Sequence, residues 1–310
     1  MKAFVLEDFD TEPRLRDDLP DAPDPGDGEI VVRVQASSVN PVDNAVASGG
    51  MSQFAEYRFP VIIGRDFAGI VERVGTDAWF SEGDEVFGFV QAVDENVHNG
   101  SWTELARVSP GQAAAKPAGV EFAAAGAAPV AALTALSAIN ALQLKEGESV
   151  VIIGATGGVG SFATQLAKRA GANVIAPGLP EDEEYLADLG ADHVIPRDGD
   201  VIEGTRGIES NGVAALVDNV SPSPEQLEAY TPALAEGGRV ASPLRAAGDG
   251  PGRHNIGGDP EGLMQLAELL AGGSLRVPVQ RTYPLEDADS ALADLPGKHT
   301  QGKLAIAVAS

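Results

Sequence analysis

An α/β protein built in two regimes is what these 310 residues predict: a β-rich part, and a doubly wound parallel sheet. Three observations lead there. Short alternating runs divided by Gly/Asp corners fill roughly the first 125 residues, the pattern of many short strands. Strand-like and helix-like segments then alternate from Val150 to about Ala241, and repeated β-α-β gives a parallel sheet with helices on its faces. After about residue 257 the pattern returns to that of the first part.

Taken in order, the first alternating runs are 2–6, 30–36, 70–74 and 86–90. Turn chemistry separates them, in Pro23-Asp-Pro-Gly-Asp-Gly28 and Ser81-Glu-Gly-Asp84. Such a layout predicts a folded-over barrel. Residues 122–141 read as one alanine-rich helix, small enough in its side chains to pack close to a neighbour and join the two parts. The parallel sheet opens at Val150-Val-Ile-Ile-Gly-Ala-Thr-Gly-Gly-Val-Gly160. Four apolar β-formers lead into a glycine-dense turn, and Val159, Phe162, Ala163, Leu166 and Ala167 then mark one face of a helix that Gly171 closes. The strand patterns 174–176, 193–195, 213–217 and 238–241 follow. Between them lie a helix over 182–189 ended by Gly190, and another with Ser223 as cap and Pro224 at its first position. The tail reads as helix over 263–270, strand over 277–283, helix over 286–295 and a last strand over 303–308. The resulting divisions are 1–122, 123–256 and 257–310.

The glycine turn carries the first functional signal. Glycines there let the backbone approach a pyrophosphate without a Cβ in the way, and the helix N-terminus presents free N–H groups and a positive dipole end to an anion. Thr156, Gly157, Gly158, Val159 and Gly160 are therefore the expected dinucleotide-binding residues, with Ala155 standing where the usual fingerprint has its first glycine. Residues 246–252, Ala-Ala-Gly-Asp-Gly-Pro-Gly, are expected as a mobile loop over the bound cofactor.

Composition narrows the partners. Acidic residues number 46 against 21 basic ones, a net charge of −25, so nucleic acid is not expected, since binding it rests on cations that neutralise phosphates. Six lysines against fifteen arginines and acid spread along the chain fit a salt-adapted or high-GC organism. There are no cysteines, which removes disulfides, thiolate catalysis and cysteine-ligated zinc. The N-terminus enters a strand pattern directly and no apolar run has the length of a membrane span, so a cytoplasmic protein with no membrane partner is expected.

The order of parts resembles the medium-chain dehydrogenase/reductase superfamily, and within it the zinc-free quinone oxidoreductase (zeta-crystallin-like) branch. The residues carrying the match are Ser38-Val-Asn-Pro-Val-Asp43, Pro60-Val-Ile-Ile-Gly-Arg-Asp-Phe-Ala-Gly69, Gly83-Asp-Glu-Val-Phe-Gly88, Ala132-Leu-Thr-Ala135, Gly154 to Gly160, Gly190-Ala-Asp-His-Val194 and Gly297-Lys-His-Thr-Gln-Gly-Lys303. The resemblance implies a GroES-like catalytic domain, a Rossmann nucleotide-binding domain, and a homodimer or homotetramer. Where zinc-dependent members carry a Cys, a Gly-His-Glu and a second Cys, this chain has Asn40, Gly64-Arg65-Asp66 and Val130, which make no soft zinc site. Without that Lewis acid the resemblance implies hydride transfer from NAD(P)H to a quinone or α,β-unsaturated carbonyl, whose enolate or phenolate product a few donors can stabilise.

By the same resemblance Asn40 and Thr134 hold the nicotinamide end, with Asn40 counted among the catalytic residues. Asp43 orients Asn40 or caps the following helix. Tyr57 lies in a segment that lines the substrate cleft in this family, where its phenol serves as a donor to the acceptor oxygen. Arg65 is expected to pair with Asp66. His98, His193, His254 and His299 have no ligand spacing; His193 reads as structural, and His254 is placed to reach the cleft. The second strand ends Ala176-Pro-Gly178 with no acid at its tip, which argues for NADPH over NADH, and Arg197 is the expected partner of the 2′-phosphate despite the acidic 181–184. Two other functions are open: a 2-enoyl-thioester reductase, and a non-catalytic nucleotide-binding or crystallin-like protein.

Overall fold

The computed structural model describes residues 1–91, 96–97 and 99–309, so His98 lies outside the described residues. The chain forms two compact units. One comprises Met1–Val130, Leu263–Gly273 and Val277–Ser310, and the other Ala131–Gly262 and Ser274–Arg276.

The first unit is built on a bent, mostly antiparallel sheet, in which, among the described residues, only Val279–Pro284 pairs in parallel, with Lys303–Ala307. Its strands run in the order Ala113–Ala115, Glu85–Phe89, Asp66–Val74, Ile30–Ser38, Lys303–Ala307 and Val279–Pro284, and Leu105–Val108 pairs on Ile30–Ser38 as well. Two strands share one edge of Ile30–Ser38. Leu105–Val108 pairs with Ile30 to Arg33, and Lys303–Ala307 with Ala36 to Ser38. A strand that exchanges partners half-way along must bend, which folds the sheet over as the Gly/Asp corners predicted. Ile30, Val32, Val34, Phe67, Val71, Val86 and Val108 fill one core there, and Phe4, Leu6, Ile63, Trp102, Tyr283 and Ile306 share another. The final strand is held between Val279–Pro284 and Ile30–Ser38, which is why the tail returns to the opening pattern.

The second unit holds six strands, all parallel, in the order His193–Pro196, Asn173–Gly178, Ser149–Ile153, Val213–Asp218, Leu234–Ser242 and Arg253–Asn255. Strand order reverses beside Ser149–Ile153, the switch point where such sheets bind ligands at the strand carboxyl ends. This is the α/β fold read from the sequence: a β-rich part and a doubly wound parallel sheet.

Some local readings are corrected. Residues 122–141 form two helices, Phe122–Ala127 and Pro129–Leu142, because the proline ring and its missing N–H break the first at Ala128. Residues 246–252 do not form a free loop. They turn tightly into the sixth strand, with Ala246 and Ala247 fully buried and Arg253 and Asn255 side chains bonded to the carbonyls of Ala247 and Gly248.

Candidate active site

In the second unit the fully buried strand Ser149–Ile153 runs into Gly154, at φ +73°, where an added Cβ would lie 2.8 Å from Val220 Cγ1. The helix Gly158–Arg169 then starts from Gly157 with no side chain capping it. Its first N–H groups are orphan donors that the helix cannot satisfy. Gly157 and Gly160 do different work. A Cβ on Gly160 would meet Gly154 O at 2.1 Å and Ala155 Cα at 2.7 Å, so that glycine is required for the helix to close on the strand. A Cβ on Gly157 would meet nothing nearer than Gly154 O at 3.6 Å. The space beside Gly157 is therefore open, a cradle that a side chain would fill. Free donors, a dipole end and room for an anion fit a dinucleotide's diphosphate.

Two neighbours of this turn were not read from the sequence. At the end of Val213–Asp218 the Asp218 Oδ1 accepts from Val220 N and Ser221 N, and Asn219 Nδ2 donates to Ile153 O. Asp218 Oδ2 and Asn219 Oδ1 are buried without a hydrogen-bond partner. Thr134 is 6% exposed on Pro129–Leu142. Arg197 stands at the tip of the second strand, its N–H donating to Gly178 O at 3.0 Å and its guanidinium 3.7 Å from Asp198. Of the acids at 181–184, Asp182 is buried and accepts from Leu179 N, a structural use, while the other three face solvent.

The first unit carries a buried polar knot. Asp66 starts its strand fully buried, and both its oxygens accept: Oδ2 from Ser38 Oγ at 2.6 Å and Asn40 Nδ2 at 2.8 Å, Oδ1 from Val130 N at 2.7 Å. Asn40 precedes the helix Pro41–Ala47, where the proline sits at the first position, and its own N–H donates to Asp43 Oδ2 at 2.7 Å. Asp43 thus both orients Asn40 and closes the helix start. Lys303 enters from the last strand, 3% exposed, with Nζ 2.6 Å from Asn40 Oδ1, 3.1 Å from Val39 O and 3.7 Å from Asp66 Oδ2. Burial pushes the Lys303 ammonium below the usual lysine range, and Asp66 and Asp43 push it back up. Burial also raises Asp43 to about 7, opposed by Arg65 and reinforced by Asp66. Removing one partner from a buried ion network of this kind costs about 3–5 kcal/mol.

Arg65 does not pair with Asp66. Arg65 lies just before the strand Asp66–Val74, and its guanidinium turns to Asp43 and to backbone carbonyls. Its nearest acid is Asp43, at 3.9 Å, and its guanidinium donates to Gln91 O at 3.0 Å and Ile62 O at 3.1 Å. Burial lowers the Arg65 pKa against the pull of Asp43.

Zinc is not matched by these residues. Asn40, Asp66 and Val130 do converge, as the ligand positions of zinc-dependent members would. Val130, however, offers only an N–H, the Asn40 amide is spent on Asp66 and Lys303, and an ammonium already stands among the oxygens. Among the described residues no group of three His, Asp or Glu could hold a metal. The Tyr57 phenol donates to Val46 O at 3.1 Å, and its ring packs edge-on against Phe9. His193 and His299 are exposed and His254 is half-buried on the sixth strand.

The family comparisons agree with this architecture. Residues 26–118 match the family described as "Alcohol dehydrogenase GroES-like domain", and residues 189–306 match "Zinc-binding dehydrogenase". The chain is 30% identical to "NAD(P)H oxidoreductase RTN4IP1, mitochondrial" of Mus musculus, over 90% of this chain and 82% of that protein. It is 28% identical to "NADPH-dependent alkenal/one oxidoreductase, chloroplastic" of Arabidopsis thaliana, over 99% and 79% respectively. Among solved structures, the quinone oxidoreductase from Coxiella burnetii superposes with a TM-score of 0.84 at 28% identity, covering 100% of this chain and 99% of that one. The sheet order, the glycine turn and these likenesses together show that the chain belongs to the medium-chain dehydrogenase/reductase superfamily, in its quinone oxidoreductase branch.

Proposed function

We propose that this chain is a reductase that moves a hydride from NADPH to a quinone or an α,β-unsaturated carbonyl without zinc. The observation that carries the reading is the open, uncapped glycine turn at Gly157, whose free donors suit a diphosphate. Relatives named as NAD(P)H and alkenal oxidoreductases supply the reaction class.

Thr156 to Gly160 would hold the diphosphate, Arg197 at the second strand tip the ribose phosphate, and Thr134 the nicotinamide end. Bound there, the reduced nicotinamide supplies the hydride. Asn40 works from within the knot, its amide fixed by Lys303 and Asp66, which leaves orientation of its surroundings as its contribution. Burial raises the Tyr57 pKa, so the phenol keeps its proton near neutrality. To donate to an acceptor oxygen it exchanges its bond to Val46 O, a trade of one neutral hydrogen bond for a stronger one to developing negative charge.

The test is NADPH consumption by chelator-treated protein over a panel of benzoquinones, naphthoquinones, alkenals, enones and a crotonyl thioester. Turnover of the quinones or enones is expected. Cofactor binding with no turnover would favour the non-catalytic reading, and turnover of the thioester alone would favour the thioester reductase.

A further inference from the structure

The buried lysine of the first unit is unexplained by hydride transfer. Lysine is among the residues least often fully buried, and this one is placed with care. Gly302 sits at φ +86° with its Cα so close to Pro278 O that an added Cβ would lie 2.1 Å away, and Lys303 N donates to the same carbonyl at 2.8 Å. One residue on, Leu304 O accepts from Val39 N at 2.9 Å. These bonds plant the Lys303 side chain beneath Val39 and Asn40.

Its ammonium then meets Asn40 Oδ1, Val39 O and the Asp66 carboxylate, while Asp66 reaches on to Ser38 and Val130 N. One positive charge thus joins the segments that carry Asn40, Asp66 and Val130. With Oδ1 facing an ammonium and Nδ2 facing a carboxylate, the Asn40 amide has only one satisfactory orientation.

We propose that the Lys303 ammonium is a built-in cation that takes the organising part a metal ion plays in zinc-dependent members. It ties those three segments together, fixes the Asn40 amide, and leaves no room for a divalent ion among the same oxygens. Lys303 is a positioning residue, and its effect on turnover rests on the function proposed above.

The test uses the full chain in three forms: wild type, Lys303→Met, which keeps length without charge, and Lys303→Ala with or without ethylammonium. For Lys303→Met, kcat is expected to fall about 10- to 100-fold, the range for lost partners that orient a site, while NADPH affinity by fluorescence titration stays within about threefold. Ethylammonium is expected to restore both melting temperature and kcat of Lys303→Ala, where the same concentration of sodium chloride or ethanol does not. Wild type incubated with zinc and desalted is expected to retain none. If wild type turns over no acceptor, the proposed function falls, yet the ethylammonium effect on melting still decides this inference. Equal kcat and melting temperature in wild type and Lys303→Met would overturn it. So would rescue by ethanol as good as by ethylammonium, or stoichiometric zinc on the wild type, which needs no variant to fold.

Discussion

Alanine at Gly157 and at Gly160 separates what the fold needs from what the ligand needs. At Gly160 the new Cβ would sit 2.1 Å from Gly154 O and 2.7 Å from Ala155 Cα, both backbone atoms that cannot swing aside. Relieving the first contact requires a shift of roughly 1 Å between helix and strand, and overpacking of that kind costs about 1–3 kcal/mol. At Gly157 the nearest neighbour is 3.6 Å away and φ is −74°, a value any residue adopts. The loss of a good cap residue and the gain in unfolded-state rigidity nearly offset, each below about 1 kcal/mol. Gly157→Ala should therefore melt within about 2 °C of wild type, and Gly160→Ala several degrees lower. Affinity tells the other half. The methyl of Gly157→Ala occupies the cradle, and NADPH binding by intrinsic-fluorescence titration should weaken at least about tenfold, or 1.4 kcal/mol. Unchanged affinity in Gly157→Ala would refute the assignment of this turn to the diphosphate.

Arg197→Ala should raise the KM for NADPH much more than that for NADH, measured by initial rates with one acceptor; equal changes would remove Arg197 from the phosphate. Asp43 titrates near 7 in the fold against about 3.9 in an unfolded chain, so the folded state binds its proton more tightly. Stability from this group is full below pH 4 and is lost as pH rises through 7, a change on the order of 4 kcal/mol. Denaturant unfolding of wild type relative to Asp43→Asn should show that difference falling between pH 4 and 7, and a flat difference would contradict it. Gly64→Ala places a Cβ 2.0 Å from Trp102 Cδ1 at φ +91°, and urea unfolding should register a loss of about 3 kcal/mol.

What was legible in the residues is what is local. Val150 to Arg169 declares strand, turn and helix within twenty residues, because apolar runs and glycines act on their own neighbours. Ser223 and Pro224 marked a helix start that lies where expected, at Pro224–Glu228. The sixth strand was missed because Arg253–Asn255 is three polar residues long, a strand only because Val240 to Ser242 offers it an edge. The knot was legible in part. Asn40 and Asp43 are three apart at a proline-marked helix start, but their partners Asp66 and Lys303 come from strands that the sheet alone aligns. Adjacency in sequence suggests an Arg65–Asp66 pair, whereas the fold brings Arg65 to Asp43, Gln91 O and Ile62 O, partners that lie 22, 26 and 3 residues away.

The chain has two tryptophans, and the fold puts them at opposite extremes: Trp79 is 94% exposed and Trp102 is 0% exposed. Trp102 donates its indole N–H to Ser38 O, two residues before Asn40, and meets Phe4 edge-on, so it is an emitter in apolar surroundings. Trp79 emits from water and is open to iodide. The tryptophan emission therefore contains a blue component that reports the surroundings of Ser38 and a red one that reports the surface, and Trp79→Phe would leave Trp102 as the one tryptophan emitter.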